Sequence, residues 1–147
     1  METARSAPRG RMVRLYHFIV TIPDRIYPFA EEIEGQKVRF RRAYDQALSR
    51  IQAERGYGAY GAWLITYRGL CHVAGALLFI GVSTFVSKEL FGSDVALYVL
   101  LVMASFALIF QEFVLQPKTF GQMKLHSVVD LMSWVVPFGV YVFIHLH

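Results

Sequence analysis

Cysteine is almost missing from this chain. Cys71 stands alone, so no disulfide can form within it and cysteine usage says nothing of the redox compartment. Charge is scarce over the C-terminal half. From residue 69 to 147 only Lys88, Lys118 and Lys124 stand against Glu89, Asp94, Glu112 and Asp130. A solvated surface needs more than that, so an ordinary soluble fold is excluded there. Acid is missing from the start, where Arg5, Arg9, Arg11 and Arg14 are accompanied by Glu2 alone before Asp24. Phosphate-binding glycine loops, CxxC pairs and HExxH are also lacking, and no internal repeat or low-complexity tract occurs. Nucleotide hydrolysis, dithiol redox chemistry and zinc peptidase chemistry therefore have no motif to rest on.

What is present is apolar. Of 147 residues, 55% are hydrophobic and 15% aromatic, and the mean hydropathy is +0.40, more than a soluble domain of this length needs. Three apolar stretches, at about 64–87, 94–115 and 125–146, each reach the roughly 20 residues that a helix needs to cross a bilayer's hydrocarbon core. Residues 62–147 therefore read as a three-helix transmembrane domain. Residues 1–61, which hold eleven Lys/Arg and seven Asp/Glu, read as a basic cytoplasmic or interfacial segment. The fold class expected is an all-α integral membrane protein, three transmembrane helices preceded by a basic amphipathic interfacial helix.

Within the basic segment, residues 1–11 suit a tail. Leu15–Ile22 is apolar but too short for a secretory signal, and no small-residue cleavage site follows. The run Val13–Ile22 suits either a short strand or a segment lying in the membrane interface. The arginine-rich start also resembles a mitochondrial transit peptide, which makes the mitochondrial inner membrane an alternative to the cell's inner or plasma membrane. Pro28 suits the first turn of a helix with Glu31 and Glu32 near its positive end, and Gly35 as an interruption. From 36 to 55 the spacing predicts an amphipathic helix. Phe40, Tyr44, Ala47, Leu48 and Ile51 recur on one face, with Arg39, Arg42, Arg50 and Glu54 largely elsewhere. Arg39, Phe40, Arg42, Tyr44, Leu48 and Ile51 are the residues expected to face lipid or a partner. Either that helix docks onto anionic headgroups, or it merely covers the end of the bundle. The segment is too small to bury a core of its own by composition. Nucleic acid is not expected, because no recognition motif accompanies the charge.

Gly56, Gly58 and Gly61, interleaved with Tyr57, Tyr60 and Trp63, suit a sharp turn into the bilayer through its headgroup layer. Ser87–Asp94 forms a short loop, with Ser93 or Asp94 capping the second span. Pro117 ends that span, Lys118–Lys124 makes the second turn, and Pro137 should kink the third span. Nearly all Lys and Arg lie on the N-terminal side and in the second turn. The positive-inside rule then places the N-terminus inside and the C-terminus outside.

That threading brings Arg68, His72, Glu112, His126 and Asp130 toward the inner leaflet. Arg68 and His72 share a helix face, as do His126 and Asp130, four residues apart in each case. Ionisable groups at such depth are costly unless paired, so the cluster marks a candidate site. One reading is structural: Asp130 pairs with Arg68 or His126, and Glu112 with Lys118 or Arg68, fastening the helices. The chain is then a small non-catalytic accessory or assembly subunit, packed against other membrane subunits. A second makes the cluster the mouth of a cation or proton path formed by copies of the chain, a homo-oligomeric channel. A third makes His72 and His126 axial ligands of haem b, in a haem- or quinone-binding anchor of a redox complex. In the same reading Asp130 or Glu112 could instead complete a metal site, with the neighbouring carboxylate orienting a histidine; the expectation is no metal site and no cofactor, with haem b as the alternative. Serines 83, 105, 127 and 133 suit hydroxyls bonded to backbone carbonyls rather than nucleophiles. His145 and His147 suit a solvated end.

The segment Leu70-Cys-His-Val-Ala-Gly-Ala-Leu-Leu-Phe79 resembles the first membrane helix of the succinate dehydrogenase cytochrome subunit, where a histidine precedes a nearby glycine. The resemblance covers ten residues and implies haem contact by His72. The family's arginine after that histidine is Val73 here, and its second histidine motif beside a Trp-Asp is missing.

Overall fold

Long apolar runs with few charged residues favour a helix, which satisfies its own backbone polar groups. The computed structural model describes residues 11–54, 58–116 and 124–147. In chain order it holds α1 (Arg11–Val20), α2 (Ile22–Arg25), β1 (Glu31–Ile33), β2 (Gln36–Val38), α3 (Arg41–Ala53), α4 (Gly58–Val86), α5 (Asp94–Phe110) and α6 (Lys124–Leu146). α4 runs on as a π-helical turn over Ser87–Phe91, and α5 as another over Gln111–Leu115. Among the described residues, three helical stretches are long and apolar enough to cross a membrane: Gly61–Phe91, Asp94–Leu115 and His126–Leu146. The expected tail, the hinge at Gly56 and Tyr57, and most of the second turn lie outside the described residues.

The chain divides into two compact units between Leu64 and Ile65. The first differs from expectation in three ways. Val13–Ile22 is not a strand: α1 is helical, and after a turn at Thr21, whose N–H bonds to the His17 carbonyl, α2 follows with bonds from Arg25 and Ile26. The helix expected after Pro28 is instead an antiparallel hairpin, with Glu31 opposite Val38 and Ile33 opposite Gln36. Its two-residue turn puts Glu34 at φ 51° and Gly35 at φ 76°. Paired positive φ values give the turn the twist that a two-residue hairpin needs, and glycine adopts one of them without strain. The fold is thus mostly helical rather than all helical. Third, the amphipathic helix begins at Arg41, not residue 36, because Gln36–Val38 is committed to the hairpin.

The unit also has a small core. Tyr27, Ala43, Tyr44, Ala47 and Ile51 are buried, with the Tyr27 and Tyr44 rings edge to face at 5.6 Å. Aromatic area compensates for short length here, since each such ring buries a large apolar surface. Arg50 ties α3 to the hairpin through Glu31 Oε2 at 3.1 Å and the Glu32 carbonyl at 3.2 Å. Burial, and then the Glu31 carboxylate, raise the Tyr27 hydroxyl pKa above its ordinary value, so the ring stays neutral.

In the second unit the loop between α4 and α5 is tighter than expected. Gly92 takes the left-handed conformation that closes the π-helical turn, and Ser93 Oγ caps α5 by accepting from the Val95 N–H at 3.2 Å. Ala76, Ile80, Leu97, Leu101 and Phe138 form the core shared by the three helices. α6 runs through Pro137 as one helix.

Candidate functional site: a buried polar layer

α4 and α6 approach closely because small residues face large ones. A Cβ built on Gly75 would lie 2.7 Å from the Trp134 ring, and one on Gly69 would lie 3.4 Å from Ser133 Oγ. Gly75→Val should therefore push the helices apart, at a cost of about 1–3 kcal/mol for an overpacked contact. Thermal unfolding of the purified protein in detergent measures this. Gly81→Val, on the same helix with nothing within 4 Å of its Cβ, is the control and should lack that steric cost.

That close approach sets the polar layer. Asp130 is wholly buried, and Arg68 Nη2 donates to its Oδ2 at 2.6 Å. His72 Nδ1 lies 3.4 Å from the other carboxylate oxygen, Oδ1. Spacing had placed Arg68 and His72 on one face of α4, and the structure turns that face onto Asp130. His126, one turn before Asp130 on α6, is also buried and lies within electrostatic range of Arg68, His72 and Asp130. The layer is thus two cationic or polar heads from α4 and an acid–imidazole pair from α6.

Glu112 lies on α5, the remaining helix of the bundle. It sits in the π-helical turn that ends α5, 1% exposed, with Gln111 Nε2 3.4 Å from its Oε1. Its backbone carbonyl accepts from Ser127 Oγ at 2.8 Å. A π-helical turn misaligns the regular i→i−4 ladder, and a hydroxyl from a neighbouring helix takes up the displaced carbonyl. Ser105 and Ser133 bond back to carbonyls of their own helices, Leu101 and Val129, as expected of span hydroxyls. Ser127 bonds across helices, which spacing alone does not reveal. Lys118, an expected partner of Glu112, lies outside the described residues.

Trp134 is the layer's unforeseen member. Its ring lies 5.9 Å from that of His72, and it fills the space left by Gly75. The available signal was the glycine: a small residue in a close-packed span leaves room for a large neighbour.

At the opposite end of the bundle, Thr84 and Tyr141 hydroxyls are 3.0 Å apart. His145 stacks on Tyr141 at 5.6 Å and lies 3.8 Å from Asp94. His145 is thus a partly engaged end of the helix rather than a freely solvated one. His147 Nδ1 is 3.1 Å from the Phe143 carbonyl.

The residues expected to face lipid or a partner separate into two groups. Arg39, Phe40 and Arg42 are exposed and Leu48 is half-buried, whereas Tyr44 and Ile51 are buried in the core of their own unit. Tyr27 packs edge to face on Tyr44, and Arg50 ties α3 to the hairpin beside it. Among the described residues no group of three or more His, Cys, Asp and Glu side chains is placed to hold a metal ion. Comparison with protein-family models, with curated proteins and with solved structures finds no match to this chain.

Proposed function

We propose that this chain is an integral membrane protein with its N-terminus inside and C-terminus outside, and that it serves as a non-catalytic accessory or assembly subunit packed against other membrane helices. The orientation rests on the loop charges, with nearly all Lys and Arg on the N-terminal side and in the second turn. The observation that carries the role is a groove of about 500 Å³ between α5 and α6. It is lined by Leu101, Val102, Ser105, Val135, Phe138 and Gly139 among others. A Cβ on Gly139 would meet nothing within 4 Å. Small residues at an open groove let a neighbouring helix come close, which is how membrane helices associate when apolar burial alone gives little advantage over lipid. The bundle leaves ample surface for this, because only 17% of each span's most apolar window is buried inside it.

The polar layer supports the same reading. Arg68 pairs with Asp130 at 2.6 Å, so that carboxylate already has a cationic partner within the chain, which weighs against its serving a cation path. Extraction of the native protein in mild detergent, followed by mass measurement of the intact complex, tests the role. Unrelated subunits in fixed ratio are expected. A ring of identical copies would favour a homo-oligomeric channel, a Soret band would favour a haem anchor on His72 and His126, and a bare monomer would sink the proposal.

A further inference from the structure

The first unit carries an apolar stripe with no counterpart in its own core. Met12, Leu15, Ile19, Ile22 and Ile26 are 78%, 52%, 54%, 40% and 58% exposed. Met12, Leu15 and Ile19 follow one another along α1 at spacings of three and four, which at about 100° per residue puts them on one narrow face. Past the turn at Thr21, Ile22 at the start of α2 and Ile26 at its C-cap keep that spacing. Arg11, Arg14 and Arg25 lie along one edge of that face, together with Phe18, over whose ring the Arg25 guanidinium stacks at 4.8 Å. α1 holds no acidic residue at all. Such a surface has the two faces of a helix that lies in a bilayer interface: side chains that enter the acyl boundary, and guanidinium groups level with the phosphates.

We propose that α1 and α2 form a docking surface for anionic phospholipid, held in the plane of the same membrane that the later helices cross. The assignment rests on the membrane reading above and differs from the expectation that the helix over 36–55 does the docking. α3 spends Tyr44 and Ile51 on its own core, whereas Met12, Leu15 and Ile19 of α1 are exposed. Connectivity supplies the occupant, since the apolar part of α4 follows Leu64 directly and a bilayer must lie within reach of the unit. Charge selects the lipid: three arginines flank the stripe, and the acidic Asp24 stands off its edge.

Single cysteines carrying an environment-sensitive fluorophore test this in the full chain, with Cys71→Ala as background. Leu15→Cys reports docking, Gln52→Cys on the exposed side of α3 reports solvent, and Phe106→Cys in α5 reports membrane insertion. The protein is reconstituted into phosphatidylcholine vesicles with and without phosphatidylglycerol, doped with nitroxide-labelled lipid. The Leu15 label should blue-shift and lose emission to the nitroxide when phosphatidylglycerol is present, and Arg11→Gln with Arg14→Gln should weaken both effects, while the Gln52 label stays bright. A bright, water-accessible Leu15 label beside a quenched Phe106 label would overturn the docking assignment and give the stripe to a protein partner. Quenching at Leu15 that ignores phosphatidylglycerol would overturn the choice of anionic lipid. An unquenched Phe106 label would overturn the membrane reading, and this inference with it.

Discussion

Asp130→Ala is expected to destabilise the helical bundle by about 3–5 kcal/mol, the cost of leaving a buried partner charge uncompensated. The carboxylate is fully buried and its two oxygens face different side chains, Arg68 at 2.6 Å and His72 at 3.4 Å. Removing it leaves the Arg68 guanidinium, 15% exposed, beside an apolar hole. The large effect follows from this asymmetry: breaking the pair costs far more than the pair contributes relative to apolar residues of similar volume. Arg68→Met with Asp130→Leu should therefore regain most of the loss. Unfolding in mixed micelles, read as a double-mutant cycle, measures both numbers. A single variant as stable as the parent, or a double variant no better than the single, would show that the pair does not fasten α4 to α6. If the parent, reconstituted in vesicles, conducts and the double variant assembles but does not, the layer lines a path instead.

The polar layer illustrates how far a chain of this kind can be read from its residues alone. Placing Arg68 with His72, and His126 with Asp130, needs only helical geometry, because residues four apart share a face. That the two faces meet depends on the rotation of α4 against α6, which Gly75 and Trp134 set through a single close contact. Rotation is a packing property of two helices, and periodicity within one does not contain it. Apolar length was the strongest signal, and the second and third spans begin and end within about two residues of expectation. The first span begins earlier, at Gly61, on a helix that starts at Gly58, because Gly61 is accommodated inside that helix rather than breaking it. Its end was also misread, since Ser87–Phe91 looks like loop by charge yet continues as a π-helical turn.

The first unit was least legible, for a different reason. Three-residue strands are too short to show alternation, so Glu31–Val38 offered only Glu34-Gly35 as a cue, and that pair also fits a helix interruption. Without Tyr27 and the hairpin in view, the spacing of Tyr44 and Ile51 points outward, to lipid or a partner. The amphipathic pattern of α3 was real; what covered it was not visible. Val13–Ile22 is too short for its periodicity to tell strand from helix, and Met12, Leu15, Phe18 and Ile19 stay exposed in the structure.

Gly139→Leu separates the groove's two fates most sharply. In the isolated chain nothing lies within 4 Å of the new Cβ, so the variant should fold as well as the parent. Replacing an interior helical glycine by a good helix former adds up to about 1 kcal/mol. In a complex, the same side chain projects into the groove between α5 and α6 where a neighbouring helix would pack, and overpacking there costs about 1–3 kcal/mol. Every 1.4 kcal/mol is a factor of ten, so association should weaken roughly five- to a hundredfold while monomer stability holds or rises. Thermal unfolding in detergent reads the first quantity, and the fraction of protein in the native complex, resolved by mass, reads the second. A complex that survives Gly139→Leu unchanged would mean that lipid fills the groove. Ser105→Leu, from the α5 wall of the same groove, should act in the same direction. Its hydroxyl already bonds within its own helix, to the Leu101 carbonyl at 2.8 Å, so its loss leaves no group on another helix unpaired. Equal loss of the complex from both walls is what a helix seated between them requires.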